Sequence, residues 1–333
     1  MNLEKRLPFL CLFLAAAGFA CLYPLQTRLD ATFGESRSLE EAMYISSGKT
    51  VKNLSFGFDG VVADLYWMRS IQYFGMKSLN SIDGKRKITG PVTAKDIPLL
   101  YPLLDVTTTI DPDYTAAYRT GSLLLSEYDF EGGVNILKKG LSQTQDRRLR
   151  FRLWFDLGSL YWRAKRYEEC ANAYDEAAKL AGTESERNNS VLMAGAAKTK
   201  GGDRKTSYLL FSQLLKEAED EKARLSAVWR LEQLQSMDER DFLLEQIKEF
   251  EKRTGRRPDS LSQIFPLIVE NQKKAIDTLG RPLPFVTDPD RHFDADRVPL
   301  DPTGTPYRYD RERNCIGLSQ NSTISRDINE QCK

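Results

Sequence analysis

One spacing limits what this chain can fold into more than any other feature. Between Phe151 and Gly182 it reads FRLWFDLGSLYWRAKRYEECANAYDEAAKLAG, with Trp154, Leu157, Gly158 and Tyr161 followed by Cys170, Tyr174 and Ala177. Each residue type has a physical task. Gly158 lets a second helix approach closely, and the aromatics at 154, 161 and 174 fill the wedge between two helices and the next pair. The pattern recurs. Gly121, Gly158 and Gly195 stand 37 residues apart, as do Leu137, Tyr174 and Phe211, and also Gly133, Cys170 and Ser207. A fixed step of this size marks stacked supersecondary units, which need about three or more copies to bury a continuous core. The expected helix pairs are 114–127 with 130–141, 151–164 with 167–180, and 187–200 with 204–217. A further pair without the glycine is expected at 220–235 and 238–253. The fold class is therefore all-α, an array of helix pairs.

The flanks differ from the array. Lys5 and Arg6 precede Leu7–Leu25, a run of 19 uncharged residues. A helix of that length just spans a hydrocarbon core of about 30 Å. Basic residues ahead of it place the N-terminus in the cytoplasm and the body outside. Three fates compete: retention as a signal anchor, cleavage after Gly18-Phe19-Ala20, or lipidation of Cys21, where Gly18 is a poor match to the leucine of a lipobox. Residues 26–55 read as a linker, polar through Lys52 and carrying Gly34, Gly48 and serines. The helical array is expected over 56–253. Its first, expanded pair is 61–78 with 97–110, ending at Asp111-Pro112, with Asp59 as a candidate N-cap and Tyr66 and Trp67 as core aromatics. Residues 80–95 read as a loop. Residues 254–333 form a C-terminal region: a short helix over 259–274 capped by Asp259 or Ser260, then Pro, Gly and Asp without helical period. Two strands close it, 305–309 and 315–319, joined by a turn at 310–314.

Composition excludes several chemistries. The 48 Lys and Arg against 47 Asp and Glu leave a net charge of +1, which argues against nucleic acid as the main partner. A single His, His292, leaves no imidazole set for metal binding or catalysis. The five cysteines form no C-x-x-C pair. Cys170 occupies a small packing position. Cys315 and Cys332 are a candidate disulfide in an oxidising compartment. The acidic run from Asp288 to Asp301 fails as a Ca²⁺ loop, because Phe293 and Pro299 stand where Gly and Glu are needed, so no metal site is expected there. No nucleophile elbow, zincin motif or P-loop is present, so no catalytic residue and no cofactor is assigned.

The central stretch resembles the tetratricopeptide-repeat (TPR) family, with Cys170 for the family's alanine and Tyr174 for its phenylalanine. The resemblance covers about 160 residues and implies a TPR-like α-solenoid. It also implies that the first helices of the pairs line a groove for a protein or peptide. Placed on this sequence, the groove positions are Arg152, Phe155, Ser159, Trp162 and Arg163, preceded by Tyr118, Ser122 and Leu125. The lysine–asparagine carboxylate clamp of chaperone-binding relatives is not reproduced. The tail is similar to the C-terminal hairpins of pilins and pseudopilins through Asp301, Pro302, Gly304, Pro306, Tyr307 and Tyr309, a likeness of local shape. Together these features lead to an expected function: a non-enzymatic interaction scaffold, anchored to a bacterial inner membrane with its body in the periplasm. It would assist assembly of a pilus, secretion or transport complex. A permanent structural subunit is the alternative; an enzyme acting through Asp294 and Asp296 is a third reading.

Overall fold

The computed structural model describes residues 47–82 and 93–326, with Ala20, Pro24, Arg28 and Cys332. The apolar stretch Leu7–Leu25 and its three fates lie outside the described residues apart from single positions. Among the described residues no helix is long and apolar enough to cross a membrane. The described chain is mostly helical, and it divides into two compact units, Met1–Ala117 and Tyr118–Lys333.

In the first unit, α1 (Gly48–Leu54), α2 (Asp59–Ile82) and α3 (Leu100–Ile110) pack together. Ala63, Tyr66, Ser70 and Tyr73 make the buried side of α2. Trp67 lies 6.2 Å from the Tyr114 ring. Of the expected linker over 26–55, residues 26–46 lie outside the described residues apart from Arg28, and helix α1 corrects the expectation over Gly48–Leu54. A Cβ on Gly48 would meet Thr109 Cβ at 2.8 Å, so this glycine is a helix contact and not a loop signal.

The second unit is a run of helices joined by short connections. After a π-helical turn, Ala117–Gly121, come α4 (Ser122–Ser126), α5 (Phe130–Gln143), α6 (Arg147–Arg163), α7 (Tyr167–Leu180), α8 (Glu184–Lys200), α9 (Arg204–Glu217) and α10 (Glu221–Thr254). Side chains set most of the helix starts by accepting from otherwise unpaired backbone N–H groups. Asp129 caps α5, Asp146 α6, Asp203 α9 and Asp220 α10, while Thr183 and Glu186 form a capping box on α8. Connections of three residues fold each helix back on its predecessor. The close crossings fall where the repeat places them. A Cβ on Gly158 would lie 2.9 Å from the Tyr174 ring, and one on Gly195 would lie 2.5 Å from the Phe211 ring. Ion pairs also link neighbouring helix pairs: Arg204 reaches Asp241, one 37-residue step on, at 2.6 Å, and Arg166 reaches Glu131, 35 residues back, at 2.8 Å.

The expected pair 220–235 and 238–253 is a single helix, α10. No Gly or Pro interrupts residues 234–242. Asp238 and Glu239, at the expected break, are buried and paired. Asp238 accepts from Arg204 Nη1 at 2.9 Å and from the Thr278 amide and hydroxyl at 2.8 Å. Glu239 accepts from Tyr307 Oη at 2.7 Å and Gln235 Nε2 at 2.8 Å. Helix α10 ends at Gly255, whose φ of 72° suits a residue without Cβ.

The remainder of the chain packs on the second half of α10. Phe242, Leu243 and Ile247 meet Leu261, Ile264, Ile268, Leu283, Phe285, Phe293, Tyr307 and Ile316 in one core. Short helices α11 (Phe265–Glu270), α12 (Pro284–Thr287) and α13 (Pro289–His292) lead to a two-stranded antiparallel ribbon, β1 (Arg308–Asp310) with β2 (Cys315–Gly317). The strands are shorter than the expected 305–309 and 315–319. A disulfide joins Cys315 to Cys332, with Cα atoms 5.7 Å apart.

Candidate functional site

Helix α6 has a buried side and an open side. Leu149, Leu153, Leu157 and Leu160 are buried. Arg148, Arg152 and Phe155 follow one another at i, i+4 and i+7, a spacing that brings side chains onto one helix face. A pocket of about 320 Å³ lies over this face. Its wall is built from three successive first helices: Arg119 from the π turn, Phe151, Arg152, Phe155 and Asp156 from α6, and Glu186 and Asn189 from α8.

The charges in the pocket are partly spent. Arg119 grips Asp156 through two bonds, Nε to Oδ2 at 2.5 Å and Nη2 to Oδ1 at 3.1 Å. This donation, the largest influence, and the attraction of the Asp156 charge together raise the Arg119 pKa against the opposing effect of burial. Glu186 Oε2 accepts from the backbone of Gly182 at 2.9 Å and Thr183 at 3.2 Å, closing the cap of α8. Arg152 and Asn189, by contrast, have no hydrogen-bond or ion-pair partner among the described residues. Phe155 is held edge-on to Tyr174, 5.0 Å between centroids, and presents a half-buried ring. The arrangement offers a free cation, a free amide and an apolar surface side by side. It offers no nucleophile paired to a base.

Five of the eight expected groove residues lie on or beside the open face. Arg152 and Phe155 line the pocket. Ser159 is turned inward, its Oγ bonded to Phe155 O at 3.1 Å and Tyr174 Oη at 3.0 Å. Trp162 is half-buried and stacks edge-on against Tyr167, 5.8 Å between centroids. Arg163 is committed to Glu127. The other three are corrected: Tyr118, Ser122 and Leu125 are buried. The π turn explains the error. Its i→i+5 bonding inserts about one residue and rotates the following face by about 100° relative to a regular helix. Tyr118 then packs against Gly140 and donates to Gln143 at 3.2 Å, while the Ser122 carbonyl faces Gly133 of α5.

Two pocket residues were within reach of the sequence. Asn189 stands one 37-residue step after Arg152, and Arg119 one step before Asp156. Applying the repeat to the polar positions as well as to the glycines finds both.

The other candidates are structural. Burial pushes the Cys170 thiol up to about 12, so it stays protonated and inert. In the acidic stretch, Asp294 Oδ1 accepts from the amides of Asp296 and Val298. Asp301 Oδ1 accepts from the Thr303 amide and hydroxyl and from the Thr305 amide. These carboxylates hold turns, and no cluster of three or more His, Cys, Asp or Glu side chains among the described residues is arranged to bind a metal ion. Set against known proteins, the chain matches no family model, no curated protein and no solved structure.

Proposed function

We propose that the protein is a non-enzymatic scaffold of the TPR-like solenoid type, which captures a segment of a partner protein across α6 and α8. One observation carries the reading: Arg152 and Asn189, both without partners, flank the half-buried Phe155 in a pocket built by three consecutive first helices. A pocket of about 320 Å³ is at the small end for a ligand site. It suits one or two side chains of a peptide laid along the groove. Aromatic and arginine side chains dominate interface energetics, and both are offered here.

The proposal extends to location. The Lys5-Arg6 flank and the uncharged run Leu7–Leu25 support anchoring in an inner membrane with the body in the periplasm. The Cys315–Cys332 disulfide supports an oxidising compartment. Assisting the assembly of an envelope complex, such as a pilus, secretion or transport machine, fits a membrane-tethered scaffold without catalytic groups.

A photo-crosslinking side chain at position 155 tests the groove in intact cells. The expected result is a discrete protein adduct from position 155, absent from the exposed position 209 of α9, and lost when Arg152→Glu is added. No adduct at 155, or equal adducts at both positions, would overturn the reading.

A further inference from the structure

Helix α10 carries two cores, one on each half. Leu234 and Met237 pack with Tyr208 and Phe211 of the array, while Phe242, Leu243 and Ile247 pack with the C-terminal region. Glu239 falls between them, at the seam where the C-terminal region meets the helix. It is 0% exposed. Across the seam stands the buried Tyr307, whose Oη lies 2.7 Å from Glu239 Oε2 and 3.0 Å from Ser236 Oγ. Gln235 Nε2 donates to Glu239 Oε1 at 2.8 Å. These are hydroxyl and amide partners. Glu239 has no ion-pair partner among the described residues.

The charged groups around it do not favour a second buried anion. On α10, Asp238 is paired with Arg204 at 2.9 Å. Arg240 is buried too, with its Nε on the Ser236 carbonyl at 3.1 Å and its charge acting on Tyr307. From the opposite segment comes buried Asp301, held by Thr303, Thr305 and Ser322. Glu232 lies near Asp301 as a further carboxyl. Asp238 and Asp301 both oppose ionisation of Glu239. A buried carboxyl with like charges near it and no bonded cation favours its protonated form. Burial, the largest influence, lifts its pKa to about 7 against the two donors.

We propose that Glu239 and Tyr307 form a pH-sensitive clasp, which holds the C-terminal region on α10 in acid and loosens it as the surroundings turn alkaline. The chain of three oxygens accommodates both states. Protonated, Glu239 donates to Tyr307 Oη, and the tyrosine proton goes to Ser236 Oγ. Ionised, the direction reverses: Ser236 donates to Tyr307, and Tyr307 to the carboxylate. The bonds persist in both, but the ionised state leaves a charge in the seam away from water, which is costly without a paired cation. Opening the seam lets water solvate that charge. The closed seam therefore keeps a proton that the open one gives up, so rising pH favours opening until the closed form also ionises, at about pH 7. The clasp is independent of the α6–α8 groove.

The test is hydrogen exchange on the full chain from about pH 5 to pH 8, with the disulfide intact and rates corrected for the intrinsic effect of pH. The expected result is a rise in the opening equilibrium of residues 275–318 on the order of a hundred-fold across that range, with little change in α6 and α7. Glu239→Gln should abolish the rise. Infrared difference spectra of the parent supply a measurement that needs no variant. A protonated-carboxyl band should be lost between about pH 6 and pH 8, where ordinary carboxyl groups are already ionised. Opening of 275–318 that does not depend on pH, an equal rise in α6 and α7, the same rise in Glu239→Gln, or no such infrared band would each overturn the proposal.

Discussion

Glu239 makes the most quantitative test of how the C-terminal region is held. Its carboxyl group is buried between α10 and the segment carrying Tyr307, bonded to Tyr307 Oη and Gln235 Nε2. Burial is the largest influence on it. The two donors stabilise the ionised form, nearby Asp301 and Asp238 oppose it, and the balance raises its pKa from 4.5 to about 7. Each unit is worth about 1.4 kcal/mol, so ionisation in the folded state costs about 3 kcal/mol relative to the unfolded chain. The sign follows from proton binding. Between about pH 4.5 and pH 7 the folded state holds more protons than the unfolded one, so this group's contribution falls as pH rises and is fully lost above the folded pKa. Glu239→Gln keeps the shape and removes the charge, as protonation does. The assay is urea unfolding of both proteins from about pH 4 to pH 8, with the disulfide intact. The variant should match the parent at the acidic end and exceed it by about 3 kcal/mol at the alkaline end. Parallel pH curves for the two proteins would refute the buried, proton-retaining carboxyl. A variant less stable at every pH would show that Tyr307 and Gln235 require the carboxylate itself.

Two further expectations follow from packing and covalent links. Gly158→Leu would drive its side chain into the Tyr174 ring, already 2.9 Å from where a Cβ would sit. Overpacking should cost about 1–3 kcal/mol, and hydrogen exchange should show the loss spreading into α8 and α9, since neighbouring pairs support each other; an unchanged melting curve would refute the close crossing. The Cys315–Cys332 bridge spans 17 residues of sequence. Opening it with reductant, or by Cys332→Ser, should cost about 3 kcal/mol in unfolding experiments, and reductant should have no further effect on the serine variant.

Local chemistry decided what the sequence could determine alone. The central helices lie where the periodicity puts them, because the 3.6-residue period, the capping Asp and Thr residues, and the spacing of Gly158, Tyr174, Gly195 and Phe211 all act over one or two turns. Arg152 and Phe155, placed in the groove by the family resemblance, both line the pocket over α6. Tertiary structure decided the rest. The residues around Asp238 look like a connection until Arg204, Thr278 and Tyr307 arrive from 34, 40 and 68 residues away to pair them, and then the helix runs through. Tyr118, Ser122 and Leu125 look like groove positions until the π turn rotates their face inward. Arg163 and Arg152 look equivalent in sequence. Only the fold brings Glu127 to the first and leaves the second free. A polar side chain's role depends on which distant group satisfies it, and residue spacing within a helix carries no record of that partner.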